Sequence, residues 1–133
     1  MEYYTDQYET EEGFKYTVKQ TLKNPDDAYC WGQNGNGKLG IGTLEIASKP
    51  TKVLGISQVS FIHSGRTATC LISKGQVLCF GSNELGELGT TASDKQVLIP
   101  SVVPGISNLV KVLVGTQFQC ASNNSGELYC WGL

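Results

Sequence analysis

The chain has 133 residues, of which 40% are hydrophobic and 17% charged, a size that allows one ordinary domain with a core of its own. Its net charge of −2 hides an asymmetry: residues 1–13 carry Glu2, Asp6, Glu9, Glu11 and Glu12 and no base, which leaves ten basic against seven acidic side chains in the rest. That balance is too weak and scattered for a nucleic-acid surface, and no run of about 18 apolar residues exists that could insert into a membrane.

In chain order, residues 1–13 (MEYYTDQYETEEG) have neither the basic nor the apolar stretch of a secretory leader. They are expected to form a flexible acidic tail, with Tyr3, Tyr4, Tyr8 and the adjoining Phe14 available to cap an open sheet face. Residues 14–32 read as a partial or degenerate hairpin running into Cys30-Trp31-Gly32. Gly35-Asn36-Gly37-Lys38-Leu39-Gly40 then matches G-x-G-x-x-G, which cradles a phosphate only between a strand and a helix. Ile41-Gly42-Thr43 is a poor helix start, and the chain later repeats Gly37 and Gly40 as Gly86 and Gly89 while Gly35 becomes Glu84. The glycines are therefore expected to serve a turn, and no cofactor is expected.

Beyond residue 57 the pattern is β. QVSFIHS, TCLIS and QVLCFG alternate apolar and polar residues and contain valine, isoleucine or phenylalanine. The short glycine-containing turn SKGQ joins two of them as a hairpin, and NNSGE is its later counterpart. Asn123-Asn124-Ser125 in that counterpart is a glycosylation sequon, a short pattern that also arises by chance. No stretch shows helical periodicity over three turns.

Aligned with itself, the chain repeats. Gly55-Ile56-Ser57, Gly65 and Cys70 return 50 residues later as Gly105-Ile106-Ser107, Gly115 and Cys120. Cys30-Trp31-Gly32 returns as Cys79-Phe80-Gly81 and Cys130-Trp131-Gly132, and Asn34, Gly37, Leu39 and Gly40 return as Asn83, Gly86, Leu88 and Gly89. Pro50 and Pro100 open the next stretch each time. A period near 50 made of short antiparallel strands is that of a propeller blade. The expected fold is thus all-β, a partial β-propeller of about two to two and a half blades. It divides into 1–13 (tail), 14–32 (partial hairpin), 33–81 (first repeat) and 82–133 (second repeat).

Trp31-Gly32-x-Asn34-x-x-Gly37-x-Leu39-Gly40, followed by Pro50, Gly65 and a hairpin, resembles the repeat of the regulator of chromosome condensation family, over residues 28–133. Phe80 departs from it by replacing the usual tryptophan of the middle copy. The resemblance implies a propeller usually of seven blades, so a stack this short leaves apolar blade faces bare. The chain is therefore expected either to belong to a longer protein or to meet further propeller subunits, including copies of itself. Trp31, Phe80 and Trp131 are expected to pack between blades, and Gly37, Gly40, Gly86 and Gly89 to shape the turns.

Cys70 with Cys79, and Cys120 with Cys130, flank the two hairpins, where antiparallel strands can bring their Cα atoms within disulfide range. The resemblance extends to secreted members with cysteines in this arrangement. It implies two disulfides and an extracellular or periplasmic location. Cys30 is left over as the unpaired cysteine, because neither Gln20 nor Thr21 is a cysteine; it is either free or has its partner further upstream. The other reading is of small buried thiols in a reduced, cytoplasmic protein.

Chemistry is scarce. His63 is the single histidine, which leaves little material for a triad or a histidine metal site, and no cysteine or histidine pairing has metal spacing. Asp26-Asp27 and Glu84/Glu87 read as solvated turn carboxylates. No catalytic or metal-binding residue is expected, and the chain reads as a non-enzymatic protein-interaction module of a secreted or surface propeller. The alternatives are a structural subunit that self-assembles through open blade faces into a ring or filament and, third, a guanine nucleotide exchange factor for a small GTPase.

Overall fold

A computed structural model of the chain describes Tyr3–Thr5, Val18–Lys23 and residues 27–133, with side-chain surroundings from residue 27 onward. The described residues form three antiparallel sheets. The first orders β1 (Tyr3–Thr5), β2 (Val18–Lys23), β3 (Asp27–Gly32) and β4 (Ala47–Lys52) side by side. The second does the same with β5 (Val59–Ser64), β6 (Ala68–Ser73), β7 (Gln76–Ser82) and β8 (Gln96–Val102). The third holds β9 (Leu109–Val114), β10 (Phe118–Asn123) and β11 (Leu128–Gly132). Each sheet is a meander in which sequence neighbours are sheet neighbours, so the chain is all-β and builds propeller blades, as its repeat foretells. The acidic stretch 1–13 lies outside the described residues, apart from Tyr3–Thr5, whose backbone pairs with β2.

Local chemistry explains the meander. Ser73 pairs with Gln76 across the two-residue turn Lys74-Gly75, and both turn residues have positive φ, 54° and 79°. That is the twist a tight hairpin requires, and the glycine meets it without strain. In the third sheet Asn123 shapes the turn itself: its Oδ1 accepts from the Ser125 and Glu127 amides at 3.0 Å each. The β2–β3 hairpin pairs from Val18↔Gly32 to Lys23↔Asp27, and Gln20 stands opposite Cys30 where the later hairpins pair Cys70↔Cys79 and Cys120↔Cys130. The sheets thus span 3–52, 59–102 and 109–132. The repeats 33–81 and 82–133 have the same period in a different phase, each carrying one sheet's last strand and the next sheet's first three.

The core lies between sheets. In β6 every residue is buried, because the middle blade is covered on both sides. Phe80, on one face, is fully buried, with its ring over Gly40 of the first blade. On the other face the Nδ1 atom of His63 accepts the Val114 amide of the third blade at 3.0 Å. Burial falls off in the third blade, where all of β11 except half-buried Trp131 is exposed.

The loop after the third strand is held by one asparagine in each repeat. Asn34 is fully buried; its Nδ2 donates to the carbonyls of Thr43 and Glu45 at 2.8 Å each, and its Oδ1 accepts the Leu39 amide at 3.0 Å. Asn83 repeats this with Ala92, Asp94 and Leu88. Removing the Asn34 side chain leaves three backbone groups without it, so Asn34→Ala is expected to cost about 2–3 kcal/mol in urea unfolding. Neighbouring Gly35, exposed and with nothing within 4 Å of a built Cβ, is the control, and Gly35→Ala should change stability by no more than about 0.5 kcal/mol.

Candidate interaction surface

Consecutive blades are joined by the glycine loop of one lying over the third strand of the next. A Cβ at Gly40 would stand 2.7 Å from Phe80 Cε2, and one at Gly89 would stand 2.7 Å from Trp131 Cδ1. The indole Nε1–H of Trp131 donates to the Leu88 carbonyl at 2.8 Å. Half-buried Trp31 holds the matching position on β3. Gly40 and Gly89 each have φ +68° as well, so these turn glycines supply both a left-handed backbone and room for a ring. Gly37 and Gly86 have φ +82° and +73° at the preceding bend of each loop. The G-x-G-x-x-G match thus lies in a turn followed by β4.

The same junction buries Lys38 completely. Its Nζ donates to the Arg66 carbonyl at 2.9 Å, and its own carbonyl accepts the Thr69 hydroxyl at 2.7 Å. Burial, reinforced by the nearby Arg66 charge, lowers its pKa from 10.5 to about 8. Below that value Lys38 is charged both folded and unfolded, so folding bears the full cost of desolvating an ammonium. Between about 8 and 10.5 the folded chain gives up a proton that the unfolded chain keeps, so stability rises with pH across this window. Lys38→Met is expected to remove that part of the rise in thermal melts from pH 8 to 10. An unchanged slope would show that the ammonium is solvated.

Around this junction the loops of the second and third blades converge. Arg66 and Thr67 come from the β5–β6 loop, Glu84 and Leu85 from the β7–β8 loop, and Thr116 and Gln117 from the β9–β10 loop; together they line a groove of about 350 Å³. Leu85 is 65% exposed and Glu84 is exposed, whereas Glu87 is buried and its Oε1 accepts the Leu85 amide at 3.0 Å. The groove therefore offers a cation, a solvated carboxylate and an apolar knob, a combination suited to gripping another protein's surface. His63 is engaged between β5 and β9, and among the described residues no group of three or more metal-ligating side chains gathers. Asp26 lies outside the described residues; Asp27 pairs with Lys52 at 3.5 Å.

The structure joins Cys70 to Cys79 and Cys120 to Cys130 across their hairpins, with Cα atoms 4.1 and 4.0 Å apart, the close spacing of a directly opposed antiparallel pair. The first pair is fully buried; in the second Cys120 is half-buried and Cys130 exposed. Cys30 is buried and forms no disulfide. Asn123 is half-buried at the sequon, its Nδ2 donating to Glu127 Oε1 at 2.8 Å.

The asparagine loop brace, the buried Lys38 and the His63–Val114 bond carried no sequence signal of their own beyond the recurrence of Asn34 as Asn83. Lys38 and His63 have Glu87 and Leu113 as counterparts, so the repeat itself hides them.

Residues 26–72 and 74–122 match the family model "Regulator of chromosome condensation (RCC1) repeat". The chain is 33% identical over 123 residues to the E3 ubiquitin-protein ligase HERC2 of Homo sapiens, which covers 87% of this chain and 2% of that protein. It is 32% identical over 108 residues to Protein RCC2 homolog of Danio rerio, covering 78% of this chain and 22% of the relative. Among solved structures, human WBSCR16 superposes with a TM-score of 0.75 at 22% identity, over 86% of this chain and 30% of that one. Prp20p of Saccharomyces cerevisiae does so with a TM-score of 0.74 at 20% identity, over 86% and 31%. At these identities the two structures speak for the fold alone, and the chain spans less than a third of each of these four proteins.

Proposed function

Because this chain belongs to the family of regulator of chromosome condensation (RCC1) repeats, we propose that it is the protein-binding section of a β-propeller, gripping its partner with the groove between the second and third blades. The observation that carries this reading is the convergence of three loops on Arg66, Glu84 and exposed Leu85. Propeller frameworks are stiff, and their function resides in such loops. The partner class is suggested by a relative: the solved structure of Prp20p is described with its binding to Gsp1p and histones. Gsp1p and core histones are accordingly the two probes. Binding of either to the intact protein should weaken at least about ten-fold, or 1.4 kcal/mol, in Arg66→Glu or Glu84→Lys, with melting temperatures unchanged. Equal affinity in both variants, or no binding of either probe, would contradict the reading.

Guanine nucleotide exchange is a third reading, and the cysteine pairs count against it because they point away from a reducing compartment. It is favoured by likeness to the RCC1-like G exchanging factor-like protein of Mus musculus, 26% identical over 117 residues and 25% covered. Acceleration of nucleotide release from Gsp1p would distinguish exchange from plain binding.

The cysteine pairs support an oxidising compartment, extracellular or periplasmic, as the place of action. Alkylation of the unreduced protein from its source cells should label Cys30, after denaturation, and none of the other four. Labelling of all five would return it to a reducing compartment. Self-assembly, the second reading, is favoured by Leu113, Phe118 and Leu128, 54%, 42% and 66% exposed on the third blade. A monomeric mass by light scattering would remove it.

A further inference from the structure

Lys38 and Glu87 hold the same place in successive repeats, and the two junctions beneath them are furnished differently. At the first junction the chain supplies its own ammonium, with Lys38 Nζ on the Arg66 carbonyl at 2.9 Å. The Thr69 hydroxyl donates to the Lys38 carbonyl at 2.7 Å and lies 2.6 Å from the Ser64 hydroxyl. Thr69 stands opposite Phe80 in the ladder, so its side chain shares the face on which that ring meets Gly40. At the second junction Thr116 stands for Arg66, Gln119 for Thr69 and Val114 for Ser64, and a carboxylate replaces the ammonium.

Gln119 stands opposite Trp131 in the ladder, so the two side chains share one face of the third blade. On that face Trp131 meets Gly89 and the carbonyl of Leu88, the residue after Glu87. Gln119 is 1% exposed, and its Oε1 is a buried acceptor without a hydrogen-bond partner. Such atoms are rare in folded proteins and call for a donor. Glu87 lines the loop groove and is buried, with Oε1 on the Leu85 amide at 3.0 Å. Among the described residues no lysine or arginine pairs with it, although a buried charge is costly without a cation. Glu84 adds an exposed carboxylate, so the groove sets two acids against one base, Arg66. Acceptors thus gather at the place that an ammonium fills one blade earlier.

We propose that the groove takes up a lysine side chain presented by the partner protein, with its ammonium on Glu87 and on Gln119 Oε1. Exposed Leu85 offers the apolar surface along which the methylene stem of a lysine runs. Glu84 stands as a second carboxylate in the same groove, and Arg66, a like charge, is left for an acidic group of the same partner. This rests on the groove being the binding surface and adds the chemistry of the residue that enters it.

Saturation-transfer NMR on the intact protein tests the proposal with two peptides, acetyl-Gly-Ala-Lys-Ala-Gly amide and the same peptide with norleucine for lysine. The lysine peptide is expected to bind with a Kd on the order of 1 mM, the weak end of specific recognition, and the norleucine peptide not to bind. Glu87→Gln keeps an oxygen for the Leu85 amide and removes the charge, so it should weaken lysine-peptide binding at least about ten-fold. Arg66→Glu removes a like charge and should tighten it at least about two-fold, the opposite of its expected effect on protein binding. No signal from the lysine peptide at about 10 mM, or equal signals from both peptides, would overturn the proposal. So would unchanged affinity in Glu87→Gln, or weaker binding in Arg66→Glu, which remains informative should Glu87→Gln fail to fold. If the lysine peptide fails while Arg66→Glu still weakens protein binding, this proposal falls and the groove reading stands.

Discussion

Phe80→Ala is expected to destabilise the chain by about 3–5 kcal/mol, the range for truncating a fully buried large aromatic. Phe80 has no exposure, and its ring lies over Gly40 of the preceding blade. The loss therefore falls on the contact between blades as well as within one. Because only neighbouring blades touch in such a stack, weakening one junction should lower the cooperativity of unfolding too. Urea unfolding followed by tryptophan fluorescence measures both effects, since Trp31 and Trp131 lie in the blades on either side. Trp131→Ala should cost less, because that ring is half-buried and its junction opens to solvent on one side. A loss below about 1 kcal/mol for Phe80→Ala would mean that the blades do not depend on this ring.

Gly81→Ala is the second large effect, expected to cost at least about 3 kcal/mol from backbone strain and a clash that local shifts cannot relieve. Gly32, Gly81 and Gly132 share φ of 116–117°. At Gly81 a Cβ would stand 2.5 Å from the Thr67 carbonyl oxygen and 2.7 Å from the Ala68 Cα, both main-chain atoms. The glycine after each aromatic is thus needed because the end of the third strand lies in contact with the start of the second, Gly81 directly opposite Ala68. Loss of soluble protein, or a melting temperature lowered by roughly ten degrees or more, is expected for Gly81→Ala. A melting curve like that of the parent would show that the two strands leave room for a methyl group at residue 81.

What the sequence disclosed and what it concealed separate along one physical line. Gly81, Phe80 and Asn83 recur because each does a job that every blade needs, and recurrence at a fixed period exposes them without any coordinates. Lys38 and His63 do jobs belonging to a single junction. Their partners are a main-chain carbonyl and a main-chain amide of another blade, and such groups have no residue identity to read. The β2–β3 hairpin was faint for a related reason: its ladder is main-chain pairing, indifferent to Gln20 standing where later hairpins have cysteine. The groove was invisible because Arg66 and Thr116 hold matching places in successive repeats, and only the stacking of blades brings them together.

Each blade is thus seated by a ring on the preceding blade's glycine. A double-mutant cycle between Gly40→Ala and Phe80→Ala tests it most directly. The alanine methyl at residue 40 collides with the ring in the parent and meets space in Phe80→Ala, so the two losses should fall short of additive by about 1 kcal/mol or more. Additivity within about 0.5 kcal/mol would contradict the claim.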